Sequence, residues 1–201
     1  MTLDSTIEHI LQLPIPEERR EILQVLIDYI QTKKDAKAPI RLNFICTHNS
    51  RRSQFSQIWA AVAAHAFKIE TTCMSGGVEV TEFNSRAINS LKRMGFVIRS
   101  SGSQNPKYEV EYALLVDKLM MFSKLFDDEV NQVENFAAVM TCDHADENCP
   151  FIPEALQRFH IGYIDPKLSD NTEFTSKKYL EINQIIAAEM NFLFQYISKA
   201  K

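Results

Sequence analysis

In the stretch FICTHNSRRSQ, residues 44–54, Cys46 ends an apolar run, five residues (Thr47, His48, Asn49, Ser50 and Arg51) separate it from Arg52, and Ser53 follows. The run before it, IRLNFIC, opens after Pro39 and is short and β-rich, as a buried strand would be. The run after it, SQFSQIWAAVAAHAF, is alanine-rich and sets Phe55, Ile58, Trp59 and Val62 at helical spacing, which predicts a helix from near Ser53. The thiol therefore falls on a strand-loop-helix junction. In open α/β sheets ligands bind at the carboxyl ends of strands, where a helix start aims free N–H groups and a positive dipole end at the site. A loop from Cys46 to Arg52 can curl into a nest of N–H groups for a tetrahedral oxyanion, with the Arg52 fork bridging two of its oxygens. The same positive field favours thiolate, so Cys46 is expected to be a nucleophile at neutral pH. A nucleotide-binding loop is excluded, because the Gly-x4-Gly-Lys pattern is absent and the loop has no glycine. The plainer reading, a small core cysteine beside two solvated arginines, leaves the spacing unexplained.

The chain of 201 residues is long enough for one substantial core with a small appendage. With 45% hydrophobic residues, 24% charged and a formal net charge of -4, it indicates neither disorder nor a polyanionic partner, so nucleic acid is not expected. The N-terminal stretch MTLDSTIEHILQLPIPEERREILQ is interrupted by acids, bases and prolines and lacks the continuous apolar run of a signal peptide or membrane span; a cytoplasmic protein with no membrane partner is expected. Four cysteines, Cys46, Cys73, Cys142 and Cys149, are too few and too scattered for a secreted disulfide scaffold, and in a reducing compartment they are catalytic, redox-active or buried.

Residues 1–38 read as two amphipathic helices, a helical extension ahead of a catalytic domain at 39–201. Beyond the opening stretch, IETTCM reads as a strand, FNSRAINSLKRMG as a helix ended by Gly95, and GFVIR as a short strand. YEVEYALLVDKLMMFSKLFDDEV fits two strands slightly better than a strand and a broken helix. FAAVMTC and FHIGYID are further strand candidates, and Tyr179, Ile182, Ile186, Met190, Leu193 and Ile197 form one stripe of a long final helix. The alternation predicts an α/β three-layer sandwich, with a parallel sheet of four or slightly more strands and helices on both faces.

Two other places carry candidate chemistry. Asp165-Pro166 follows a strand candidate and so reaches the same sheet edge as the Cys46 loop, although an isolated dipeptide of this kind commonly marks only a turn. In MTCDHADENCPFIP, Cys142 and Cys149 are open to several readings. Structural zinc cysteines lie closer together, and only His144 and His160 are at hand to complete a site. DHADEN lacks the alternating acids and central glycine of a calcium loop. Two inert thiols or a redox pair remain. Were the segment helical, seven residues would separate the α-carbons by about 10 Å, beyond the roughly 7 Å limit for a disulfide, so oxidation would have to unwind it.

CTHNSRRS resembles the Cys-x5-Arg-Ser/Thr signature of the low-molecular-weight protein tyrosine phosphatase superfamily, and more closely its thioredoxin-coupled arsenate reductase branch, whose loop commonly reads like CTGNSCRSQ. The likeness spans about residues 40–199, and SGGVEV and RMGFVI also resemble family landmarks. It implies Cys46 as nucleophile, Thr47, His48, Asn49, Ser50, Arg51 and Arg52 as anion cradle, Asn49 as the residue that holds the loop in shape, and Ser53 as the hydroxyl that stabilises the thiolate. It implies Asp165 as the proton donor to the leaving oxygen, and Cys142 with Cys149 as a disulfide relay reduced by thioredoxin. Lys167 stands where phosphatases usually place an aromatic residue, His48 where the branch has glycine, and Arg51 where relatives often carry a second cysteine. Gln57 falls near an acidic position that binds a potassium ion in part of the branch, which argues against potassium dependence. No tightly bound cofactor and no metal are expected. The resemblance thus implies an arsenate reductase; the alternative is a phosphatase that hydrolyses phosphomonoesters with the same Cys46, Arg52 and Asp165. A third reading is a silent anion-binding module.

Overall fold

A computed structural model of the protein describes residues 2–113, 118–131, 134–148 and 151–199. Along the chain, α1 (Leu3–Ile10) and α2 (Glu17–Asp35) precede β1 (Arg41–Cys46), α3 (Arg52–Ala66) and β2 (Thr72–Gly77). Then come α4 (Ser85–Arg93), β3 (Val97–Ser101), β4 (Lys107–Glu111) and β5 (Leu119–Met121), followed by β6 (Phe136–Met140), α5 (Asp143–Asn148), β7 (Ala155–His160) and α6 (Thr175–Lys199).

β1, β2, β6 and β7 form a parallel sheet in the order β2-β1-β6-β7, with Cys46 opposite Gly77 at its carboxyl edge. β1 and β6 lie at the centre and are buried on both faces, as central parallel strands are, with Asn43 a buried polar residue of β1. From β1 the chain crosses first to β2 on one side and later to β6 on the other. The crevice this reversal opens lies just beyond Cys46 and Met140, where parallel sheets take their ligands.

One face of the sheet carries the main core, in which Leu42, Phe44 and Val139 pack with Trp59 of α3, Leu91 of α4 and Leu193 of α6. The predicted stripe of α6 is buried throughout. The first two helices are part of this core: Ile10, Leu23, Leu26, Ile27 and Ile30 are almost fully buried in it. The opposite face is thinner, with Ile45, Met74, Met140 and Cys142 covered by Ala145 of the short α5 and by Ile152. The helices predicted for both faces are thus unevenly divided.

Three strand expectations shift. GFVIR does not join the parallel sheet; β3 starts an antiparallel sheet in the order β3-β4-β5, and its polar, exposed residues could not fill a strand buried on both faces. The preference for two strands in the following stretch agrees with β4 and β5. β2 begins three residues later than the apolar run at Ile69 suggested, because Ile69 packs as a loop residue below the strand. β7 ends at His160; beyond it Ile161 and Tyr163 bury outside the strand, with Ile161 N–H donating to Met140 O (2.9 Å) and Tyr163 N–H to Thr141 O (3.2 Å), while Ile164 is exposed. Among the described residues, no helix is long and apolar enough to cross a membrane.

Polar groups tie the helices together inside this core. Trp59 Nε1 donates to Asn183 Oδ1 (2.7 Å), and Asn183 Nδ2 donates to Ser90 Oγ (3.0 Å), which joins α3, α6 and α4. Arg19 of α2 makes a two-pronged pair with Glu189 of α6 (2.7 and 2.8 Å), and Tyr163 OH donates to the same carboxylate (2.8 Å). The Glu189 side chain is 2% exposed, so removing Arg19 strands a buried charge. Arg19→Ala should lower the unfolding free energy by about 3–5 kcal/mol in chemical denaturation; a loss below about 1 kcal/mol, as for a surface ion pair, would contradict this.

Candidate active site

Between β1 and α3 the loop turns through Asn49, whose φ of 46° lies in the left-handed region that asparagine tolerates better than most residues. Its side chain is the hub of the loop. Asn49 Nδ2 donates to Ser53 Oγ (2.8 Å) and Ser75 Oγ (2.9 Å), while Oδ1 accepts from Lys124 N (3.1 Å) and Gln54 Nε2 (3.2 Å). Because the Ser53 oxygen already accepts from Asn49, its hydrogen is free for Cys46 Sγ, 3.0 Å away. Cys46 itself is 4% exposed.

The loop is clamped from two sides. Val78 and Glu79 N–H groups both donate to Thr47 O (2.9 Å each), and a Cβ on Gly77 would stand 2.8 Å from Asn49 N, closer than real atoms approach. The pair of glycines after Ser75 lets β2 come this near. From the other side, residues after β5 act as a buttress: Ser123 Oγ donates to His48 O (2.7 Å), Phe122 O accepts from Gln54 Nε2 (2.9 Å), and Gly77 N–H donates to Lys124 O (2.8 Å).

A small concavity outside the loop is lined by Cys46, His48, Ser50, Arg51, Arg52 and Asp165. Arg52 Nη2 donates to Asp165 Oδ2 (2.8 Å) and its Nη1 to Tyr163 O (2.9 Å). Arg51 is not a solvated loop residue: its Nε donates to Tyr179 OH (3.1 Å), and its Nη1 lies 3.7 Å from Asp165 Oδ1. Asp165 is therefore bracketed by both arginines and caps the turn at Pro166–Ser169 through Lys167 N–H (2.9 Å). Not every cradle side chain faces the concavity. Asn49 and Ser53 point inward, His48 pairs at the surface with Glu79 (3.2 Å), and Thr47 Oγ1 turns to the next strand edge, 3.5 Å from Cys142 Sγ and 3.2 Å from His144 Nδ1.

Cys142, 2% exposed at the end of β6, is thus seated against the Cys46 loop, and α5 separates it from Cys149, which lies outside the described residues. Cys73 takes no part; its surroundings push the thiol up to about 12 by desolvation. Gln57 Nε2 donates to Cys73 O (3.0 Å) and its Oε1 accepts from Ser75 Oγ (2.6 Å), which ties α3 to β2. Tyr163 is held as a neutral phenol, since burial and then the Glu189 charge raise it well above its ordinary value.

No family model matches the chain. It is 31% identical over 131 residues to arsenate reductase 2 of Staphylococcus haemolyticus, covering 65% of this chain and 82% of that one. It is also 31% identical over 133 residues to an arsenate reductase of Staphylococcus aureus, with the same coverage. The chain belongs to the arsenate reductase family. It is an enzyme of the arsenate reductase type. The fold is shared with solved low-molecular-weight tyrosine phosphatases of Vibrio cholerae O395 and Bacillus subtilis, each 12% identical with a TM-score of 0.50, over 78% and 80% of this chain and 95% and 98% of those.

Several residues of this family member's site escaped the sequence reading. Ser75 lies within the SGGVEV landmark and was in reach; Ser123, Lys124 and Tyr163 are brought in only by folding. Lys124 is the most unusual. Its side chain is 3% exposed, Nζ has no hydrogen-bond partner among the described residues and sits 4.9 Å from the Phe122 ring, and burial pushes its pKa down to about 8. Between that value and the ordinary 10.5, the unfolded chain binds the proton more readily, so this lysine's cost to stability is full below pH 8 and fades as pH rises. Lys124→Met should be more stable than wild type by on the order of 3 kcal/mol at pH 7, with the gap closing toward pH 10.5 in denaturant titrations; a gap independent of pH would contradict the assignment.

Proposed function

We propose that this enzyme reduces arsenate to arsenite, with Cys46 as nucleophile and Cys142 and Cys149 as a disulfide relay that thioredoxin resets. The observation that carries the proposal is the position of Cys142. A hydrolase that splits a phosphocysteine with water has no use for a second thiol, yet here one is enclosed at the loop, in hydrogen-bond range of the residue next to Cys46.

Arsenate sits in the nest of loop N–H groups with the Arg52 fork on its oxygens, as bidentate guanidinium chemistry favours. The bound anion competes with Asp165 for that fork, which releases the carboxyl to act as general acid. Cys46 attacks arsenic, an oxygen leaves as water with a proton from Asp165, and an As(V) thiolate adduct remains. Cys142 thiolate then attacks the Cys46 sulfur. The S–S bond forms, the S–As bond breaks with its electron pair moving to arsenic, and arsenite departs as As(III). Cys149 attacks Cys142, forming the second disulfide and freeing Cys46 as thiolate, and the thioredoxin dithiol reduces that pair. The helical α5 between the two cysteines must unwind for this last exchange, because a helical span of seven residues is about 10 Å.

The catalytic efficiency for arsenate with a thioredoxin system, divided by that for an aryl phosphate, tests the proposal. A ratio well above one, with arsenite formation dependent on thioredoxin, is the expected result; efficient aryl phosphate hydrolysis with no thioredoxin-dependent arsenite would favour the phosphatase reading.

A further inference from the structure

Cys142 has a problem the relay must solve. At 2% exposure among Ile45, Met74, Met140 and Ile152, its thiol is nearly shut off from water, yet it must lose a proton before its sulfur can attack. Its hydrogen-bond neighbour among the described residues is Thr47 Oγ1, at 3.5 Å. That hydroxyl is held in place, since Val78 and Glu79 fix the Thr47 carbonyl and a β-branched side chain has few rotamers. On its far side stands His144 Nδ1, at 3.2 Å, on the first turn of α5 and open to solvent.

We infer that His144 draws the proton from Cys142 through the Thr47 hydroxyl, and so activates the second nucleophile of the proposed relay. The proton on Cys142 Sγ passes to Thr47 Oγ1, the Thr47 proton passes to the unprotonated Nδ1 of His144, and the exposed ring returns it to water from Nε2. A hydroxyl can accept and donate at once, and a neutral imidazole supplies one acceptor nitrogen, so both contacts are chemically matched. Neighbouring charges are engaged elsewhere: Asp143 with His160, Asp146 with Arg158, and His48 with Glu79, while Glu147 is exposed on the same helix. His144 touches no substrate in this scheme; it acts on Cys142 through Thr47 and is a positioning and proton-accepting group for the second step alone.

The inference rests on the arsenate reductase reading, and the test separates the two. In a Cys149→Ser background, the rate of Cys46–Cys142 disulfide formation is followed after mixing with arsenate, for His144 intact, His144→Ala and His144→Gln. Loss of His144 should slow disulfide formation about 100-fold near pH 7, leave the half-saturating arsenate concentration unchanged, and be relieved in His144→Ala by added imidazole or by raising the pH. If the disulfide forms as fast without His144, or slows with no relief from imidazole or alkali, the proton relay is wrong while the reductase reading stands. If no such disulfide forms even with His144 intact, both fall.

Discussion

Asn49 carries the site. Its left-handed backbone lets the chain leave β1 and enter α3 within a few residues, and its amide holds the serine that faces Cys46, the serine of β2, and the segment behind the loop. A nest for a tetrahedral anion is a set of backbone N–H groups that must point inward without an anion to hold them. Here side chains hold the shape of the loop: Asn49 and Gln54 from within, the glycines of β2 by close approach, and Ser123 from outside. Preorganisation of this kind is what lets such a loop stabilise charge at no cost in reorganisation during reaction.

A second chain of contacts joins α2 to the Cys46 loop. Arg19 binds Glu189, Glu189 accepts from Tyr163, and the Tyr163 carbonyl accepts from Arg52, whose other nitrogen holds Asp165. The acid-bearing loop is therefore fixed by a buried ion pair that includes a residue from the extension. With Arg19 removed, the buried carboxylate of Glu189 would keep the Tyr163 hydroxyl but lose its countercharge, which loosens one end of this chain of contacts.

Local pattern made the Cys46 loop legible. Cys46, Arg52, the strand before them and the helix after them follow from spacing and periodicity, and so do the central strands and the stripe of α6. Asp165 was legible only as a dipeptide at the right sheet edge. What sequence did not show are contacts that depend on distant parts of the chain meeting. Arg51 read as a loop residue because nothing local names Tyr179 as its partner. GFVIR read as a parallel strand because so short a run carries no sign of which sheet it joins. His144 read as a weak zinc candidate, since its neighbour Thr47 lies almost a hundred residues away and is brought beside it by β1 pairing with β6.

In the proposed relay the Cys142 thiol, just past β6, takes over the bond that the Cys46 thiol of β1 makes. The most direct measurement is peptide mapping of the Cys149→Ser variant after one equivalent of arsenate, without any external reductant. The account predicts a Cys46–Cys142 disulfide and one arsenite per chain, after which turnover stops. Continued turnover in that variant, or arsenite release with Cys46 and Cys142 both still reduced, would contradict it.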